Sequence, residues 1–143
     1  MTYSFGRHRI LFSATVSIAL LVASCGESKV TQCNKLNKLI NQADVATKTA
    51  KAGTPSALIR SASQLDQVTS ALQAVEVNND RLLYLQSNFV TLYTEISKSF
   101  RSLAAAIQTQ DAVIIKSALN FLQQARMKDR ELVKQINTYC QQK

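Results

Sequence analysis

Of three glycines and one proline in the whole chain, only Gly26, Gly53 and Pro55 lie beyond residue 24. These residues most often end regular structure, and the long segments between them are rich in Ala, Leu, Gln and Lys, all good helix formers. Their apolar residues recur at steps of three and four, the spacing of a helix with one buried face. The pattern predicts an all-α fold, an antiparallel up-down-up-down four-helix bundle.

The punctuation sets the helix bounds. A first helix over residues 31–52 carries Cys33, Leu36, Ile40, Ala43, Thr47 and Ala50 on one face, and Gly53 stops it. Thr54 then offers a hydroxyl cap with Pro55 at the first helical position. The second helix runs to about residue 76, with Leu58, Ala62, Leu65, Val68, Leu72 and Val75 inward. Asn79 or Asp80 caps a third helix over 80–108. Its stripe of Leu82, Leu85, Phe89, Leu92, Ile96, Ser99, Leu103 and Ala106 is widened by Leu83, Val90, Tyr93, Phe100 and Ile107, so it should be the most buried.

Neither glycine nor proline marks residues 109–111. Even so, one helix from Asp80 to Gln141 would be about 90 Å long and would leave its apolar faces without a partner. A break is therefore expected, with Thr109 or Asp111 as cap. The fourth helix turns Ile115, Ala118, Leu122, Ala125, Leu132, Ile136 and Tyr139 inward, and Asp129 interrupts that seam.

Ahead of this domain, Arg7, His8 and Arg9 precede an apolar run from Ile10 to Val22. A membrane-spanning helix needs about 20 apolar residues, so the run has the length of a signal-peptide core rather than of a permanent anchor. The tetrapeptide Val22-Ala23-Ser24-Cys25 resembles the bacterial lipobox, where signal peptidase II cuts before a diacylated cysteine. That resemblance implies a signal peptide over 1–24, a lipidated tether over 25–30 and a helical bundle domain over 31–143. An ordinary secretory signal and an uncleaved signal anchor are the alternatives. Two acyl chains on Cys25 suffice for stable attachment. The expected location is exported, lipid-anchored to a bacterial membrane at its periplasmic or cell-surface face.

With Cys25 assigned to lipid, Cys33 and Cys140 remain of the three cysteines. Outside the cytoplasm such a pair is usually oxidised, and an up-down-up-down bundle brings the start of helix one beside the end of helix four. A structural disulfide is expected. Two free thiols or a redox-active pair are the alternatives, and the lack of a C-x-x-C spacing argues against an oxidoreductase. Cys33-Asn34-Lys35-Leu36 and Ile136-Asn137-Thr138-Tyr139-Cys140 resemble the ends of a small family of cyanobacterial lipoproteins. The resemblance implies an exported helical domain and carries no activity, cofactor or partner with it.

Of 17 Lys and Arg residues, Arg7 and Arg9 leave with the signal, so 15 face 9 Asp and Glu, a formal charge of +6. Nucleic acid is not the expected partner of an exported lipoprotein. Anionic headgroups, wall polymers or an acidic protein fit better, and a plain solvated surface is the alternative. Arg126, Lys128, Arg130 and Lys134 gather on the fourth helix, with the pairs 126/130 and 130/134 sharing a face. They are the candidates for contact with anionic headgroups. A solvated face offset by Asp129 and Glu131 is the competing explanation.

Catalytic signals are missing. The sole histidine, His8, departs with the signal, which leaves no imidazole for a nucleophile pair or for zinc. Asp129 and Glu131 are two apart and point in different directions, and no phosphate loop, metal-spaced cluster or hydrolase elbow is present. The expectation is no enzyme, no cofactor and no metal. Two functions fit: a non-enzymatic accessory or interaction protein of a membrane complex, or a binding module for a small apolar ligand or lipid between the helices. The second needs a cavity, which Ala43, Ala62, Ala106, Ala118 and Ala125 could leave. A pocket gathering Asp129, Glu131 and Arg126 would instead point to an enzyme.

Overall fold

Four helices, each with its own start signal, make up most of residues 27–142, the part of the chain described by the computed structural model. The expected signal peptide, the expected lipidation site Cys25 and residue 143 lie outside the described residues. Helix α1 spans Lys29–Thr49, capped by Ser28, whose Oγ accepts from the Thr31 N–H at 3.2 Å. A short 3-10 turn, Ala50–Ala52, leads to Gly53 at φ 67°, a left-handed conformation that favours glycine. Helix α2 spans Pro55–Gln73, with Thr54 Oγ1 accepting from the Ala57 N–H. Helix α3 spans Asp80–Thr109, and Asn79 Oδ1 accepts from the N–H groups of Arg81 and Leu82.

The break after α3 is sharp. Gln110 takes the left-handed conformation, φ 54° and ψ 33°, and Asp111 Oδ1 accepts from the Val113 and Ile114 N–H groups, both at 3.0 Å. The Asp111 N–H also reaches back to the Ala106 carbonyl at 2.9 Å, satisfying a carbonyl that the end of α3 leaves open. Helix α4 spans Ala112–Gln141.

Consecutive helices pack against one another, most extensively α2 on α3, while α1 touches α4 and α3 only sparsely. α3 and α4 have 30 residues each against 21 and 19 for α1 and α2, so both run about 45 Å, well past the shorter pair. The core lies around α3. Leu36, Leu65, Leu72, Leu82, Leu85, Phe89, Leu92 and Ile136 are almost wholly buried.

Most expected stripe positions are buried and several are half-buried; three of the departures are instructive. In α1 the buried position is Ala46, while Thr47 is half-buried. Leu83, expected to widen the α3 stripe, is 49% exposed, because no helix covers that side. Ser99 is half-buried, and the fully buried serine there is Ser97.

Buried polar groups tie the helices together. Gln86 on α3 donates from Nε2 to the carbonyls of Leu72 and Val75, closing the last turn of α2 from its neighbour. Gln32 likewise bonds the backbone of Glu27 and both the side chain and the N–H of Asn78. On the α2–α3 seam, Asp66 meets Ser97 and Arg101. Burial pulls that carboxyl up, but the hydrogen bonds from Arg101 and Ser97 and the Arg101 charge outweigh it and hold it below its ordinary range.

At one end of the bundle Cys33 and Cys140 are joined in a disulfide, their Cα atoms 5.9 Å apart. Around it, Lys29 Nζ donates to the Gln142 carbonyl and sits 4.3 Å from the Tyr139 ring centroid. The Tyr139 hydroxyl donates to Asn79 Oδ1 at 2.8 Å. α1 and α4 are thus held together at this end. Further along they part.

Candidate functional site: a groove between the first and last helices

Where α1 and α4 separate, a groove of about 600 Å³ opens between them, floored by α3. That volume falls in the range of small-molecule pockets, about 300–1,000 Å³. Its origin is visible in α4. Only Ala118, Ala125, Leu132 and Ile136 of that helix are fully buried, a narrow ladder that faces α3. Leu122, expected in the core, is half-buried and lines the groove beside Leu119, which is 52% exposed. Ile96 and Phe100 from α3 and Ala43 from α1 complete the apolar lining.

Polar groups enter from all three helices. Asp44 and Lys48, four apart on α1, share one face and form one rim with Lys51 of the 3-10 turn that follows. Arg126 and Arg130, four apart on α4, form the other rim. At the floor, the Tyr93 hydroxyl donates to Asp129 Oδ1 at 3.0 Å. Burial pushes the Asp129 carboxyl above its ordinary range. The Tyr93 hydrogen bond opposes that shift, and the negative charge of Asp44 adds to it. The Tyr93 phenol is pushed upward too, first by burial and then by the Asp129 charge and hydrogen bond. It therefore remains a donor across the ordinary pH range.

This arrangement carries a stability prediction. A carboxyl that titrates higher in the folded than in the unfolded chain takes up a proton on folding in the interval between the two values. Its contribution is present at low pH and is lost as pH rises through the folded value. Asp44 from α1, Tyr93 from α3, and Arg126 and Arg130 from α4 are the charged and titratable groups around it. Asp129→Asn keeps an acceptor for Tyr93 and removes the charge. It is expected to raise the melting temperature near pH 7 and to converge with the wild type below about pH 4, the ordinary range of an Asp carboxyl. A melting-temperature difference independent of pH would contradict it.

The four basic residues expected to gather on α4 divide. Arg126 and Arg130 border the groove. Lys128, two residues from each, is exposed and points to another side of the helix. Lys134 borders a separate shallow hollow of about 410 Å³ with Arg81, Glu131 and Tyr139, toward the disulfide end. Arg126 stands 14 residues before Cys140, about 21 Å along the helix, so only Lys134 of the four lies near the chain's expected membrane end.

Nor do Asp129, Glu131 and Arg126 converge. Glu131 accepts from Gln135 on the exposed side, away from Asp129 in the groove. Of the five alanines that could have left a cavity, Ala43 borders the groove, and Ala62, Ala106, Ala118 and Ala125 are packed in the core. Tyr84 is exposed and Tyr139 half-buried, while Tyr93 is buried. From sequence, Asp129 is an interruption of the apolar seam and a neighbour of Glu131 and Arg126, with no pairing to Tyr93. The antiparallel register of α3 and α4 was the signal that could have paired them.

Among the described residues no helix is long and apolar enough to cross a membrane, and no group of three or more His, Cys, Asp or Glu side chains could hold a metal. Comparison with protein-family models, with curated proteins and with solved structures finds no match.

Proposed function

We propose that the protein is an exported, lipid-anchored and non-enzymatic binding module that holds a small molecule in the α1–α4 groove. The observation that carries this reading is the groove itself. A bundle of this kind ordinarily fills the seam between first and last helices with side chains. Here Leu119, Leu122, Ile96 and Phe100 border about 600 Å³ of open space instead. Export and anchoring rest on the charged start, the apolar run and the lipobox resemblance ending at Cys25. The chain enters α1 at the disulfide end, so that end would face the membrane and the groove would lie farther along the domain.

The test is native mass spectrometry of the full protein released from its own membranes. The expected result is a bound small molecule that is lost in Leu119→Trp, whose larger side chain stands at a groove-lining position 52% exposed. Recovery with a stoichiometric protein partner and no small molecule would overturn the reading and favour an accessory subunit of a membrane complex. In the same preparations, Cys25→Ser should shift the protein from the membrane to the soluble fraction. Retention on the membrane would overturn the anchor.

A further inference from the structure

We infer, building on the groove as a ligand site, that its occupant is a fatty acid: a single acyl chain ending in a carboxylate. The two rims carry four cations and one exposed carboxylate. Lys48 is paired with Asp44 at 2.6 Å. Lys51, Arg126 and Arg130 have no ion-pair partner among the described residues. The groove's other carboxyl, Asp129, accepts from Tyr93 at the floor and forms no ion pair among the described residues. Cations without an ion-pair partner among the described residues therefore border an apolar trough on both sides.

Arginine suits this role. Its planar guanidinium offers paired donors that match a carboxylate, and hydrogen bonds between opposite charges are about twice as strong as neutral ones. Below the rim, Ile96, Phe100, Leu119 and Leu122 provide a surface for methylenes. Each buried methylene contributes about 0.8 kcal/mol in general. Along α1 and the 3-10 turn after it the groove extends from Ala43 to Lys51, about 12 Å at the helical rise. That is the length of a medium acyl chain. One trough of about 600 Å³ suits a single chain better than a two-chain lipid. A neutral apolar ligand would leave three cations unused, and a soluble anion would leave the apolar walls wet.

The test uses the full-length protein in its own membranes and two photo-crosslinkable probes of equal chain length, a diazirine-bearing dodecanoate and the corresponding dodecanol. Crosslinks are mapped by peptide mass spectrometry. The dodecanoate is expected to label residues 43–51 and 119–130 at least about tenfold more than the alcohol, the scale of one charge-assisted hydrogen bond. The double variant Arg126→Gln/Arg130→Gln is expected to erase that preference while leaving the helical content unchanged, since both side chains are exposed. Equal labelling by acid and alcohol would overturn the carboxylate assignment and leave the groove as a ligand site. Labelling of the groove by neither probe would overturn both readings. Displacement of dodecanoate by dodecyl phosphate at lower concentration than by unlabelled dodecanoate would assign a phosphate headgroup and overturn the fatty acid.

Discussion

Replacing Cys33 and Cys140 with alanine is expected to lower the unfolding free energy by up to about 4.7 kcal/mol, the chain-entropy value for a closed loop of roughly 100 residues. The bond joins positions 107 residues apart, so it restricts nearly the whole unfolded domain. Its effect in the folded state is local. α1 packs on α2 but sparsely on α4, and beside the bond Lys29 joins α1 to Tyr139 and to the Gln142 carbonyl just past α4. α1 is therefore expected to stay helical and docked on α2 in the variant, so helicity near room temperature should change little while the melting temperature falls by on the order of 10 °C. The groove should suffer more than the helices, because its α1 rim loses the tie that fixes it to α4. Chemical denaturation of the oxidised protein beside the double variant measures the first effect. Intact mass before and after reduction, differing by two hydrogens, verifies the bond in the wild type. Equal stabilities would refute the argument. Cys33 is nearly fully buried and Cys140 half-buried, so the native bond should resist mild reductants. That behaviour fits a structural link better than a redox centre.

Features governed by local chemistry were legible in the sequence. Thr54 before Pro55, Asn79, and Asp111 each cap the helix they were expected to start, because a cap depends on a few consecutive residues. The stripes of α2 and α3 followed from apolar spacing, and the Cys33–Cys140 bond followed from counting cysteines and from up-down topology. What escaped depends on relations between helices. Thr47 and Ala46 are both compatible with a three-four repeat, and only the true helical period, carried over several turns, puts Ala46 inward. Leu83 has the same apolar character as Leu82, yet no neighbour covers its side of α3. The groove was least legible. Leu122 reads as an ordinary core residue in a helical pattern, and its partial exposure beside Leu119 comes from α1 standing away from α4. Arg126 and Arg130 were readable as a pair on one face. That this face meets Lys51 across a trough is a property of the packed bundle.

Phe89→Ala tests the centre of that bundle and is expected to cost about 3–5 kcal/mol, the usual range for deleting a buried aromatic ring. Phe89 is wholly buried in the middle of α3, the helix that packs extensively on both α2 and α4. A hole there cannot be filled by a surface side chain. Part of the cost is the transfer of the ring out of water and part is the cavity left behind, so the value depends on how far α2 and α4 can close. One turn along, the Tyr93 ring lies 5.6 Å away between centroids, inclined by 39°. Its hydroxyl is fixed by Asp129 at the groove floor. Loss of Phe89 frees one side of that ring, so ligand retention in the groove should fall in addition to stability. Leu83→Ala is the matched comparison. It removes a leucine from the same helix at a position 49% exposed and should change stability by no more than about 0.5 kcal/mol. Denaturation curves for both variants measure the contrast directly. A loss at Leu83 as large as that at Phe89 would mean that the outer face of α3 is covered in solution, and the packing described for the isolated bundle would be incomplete.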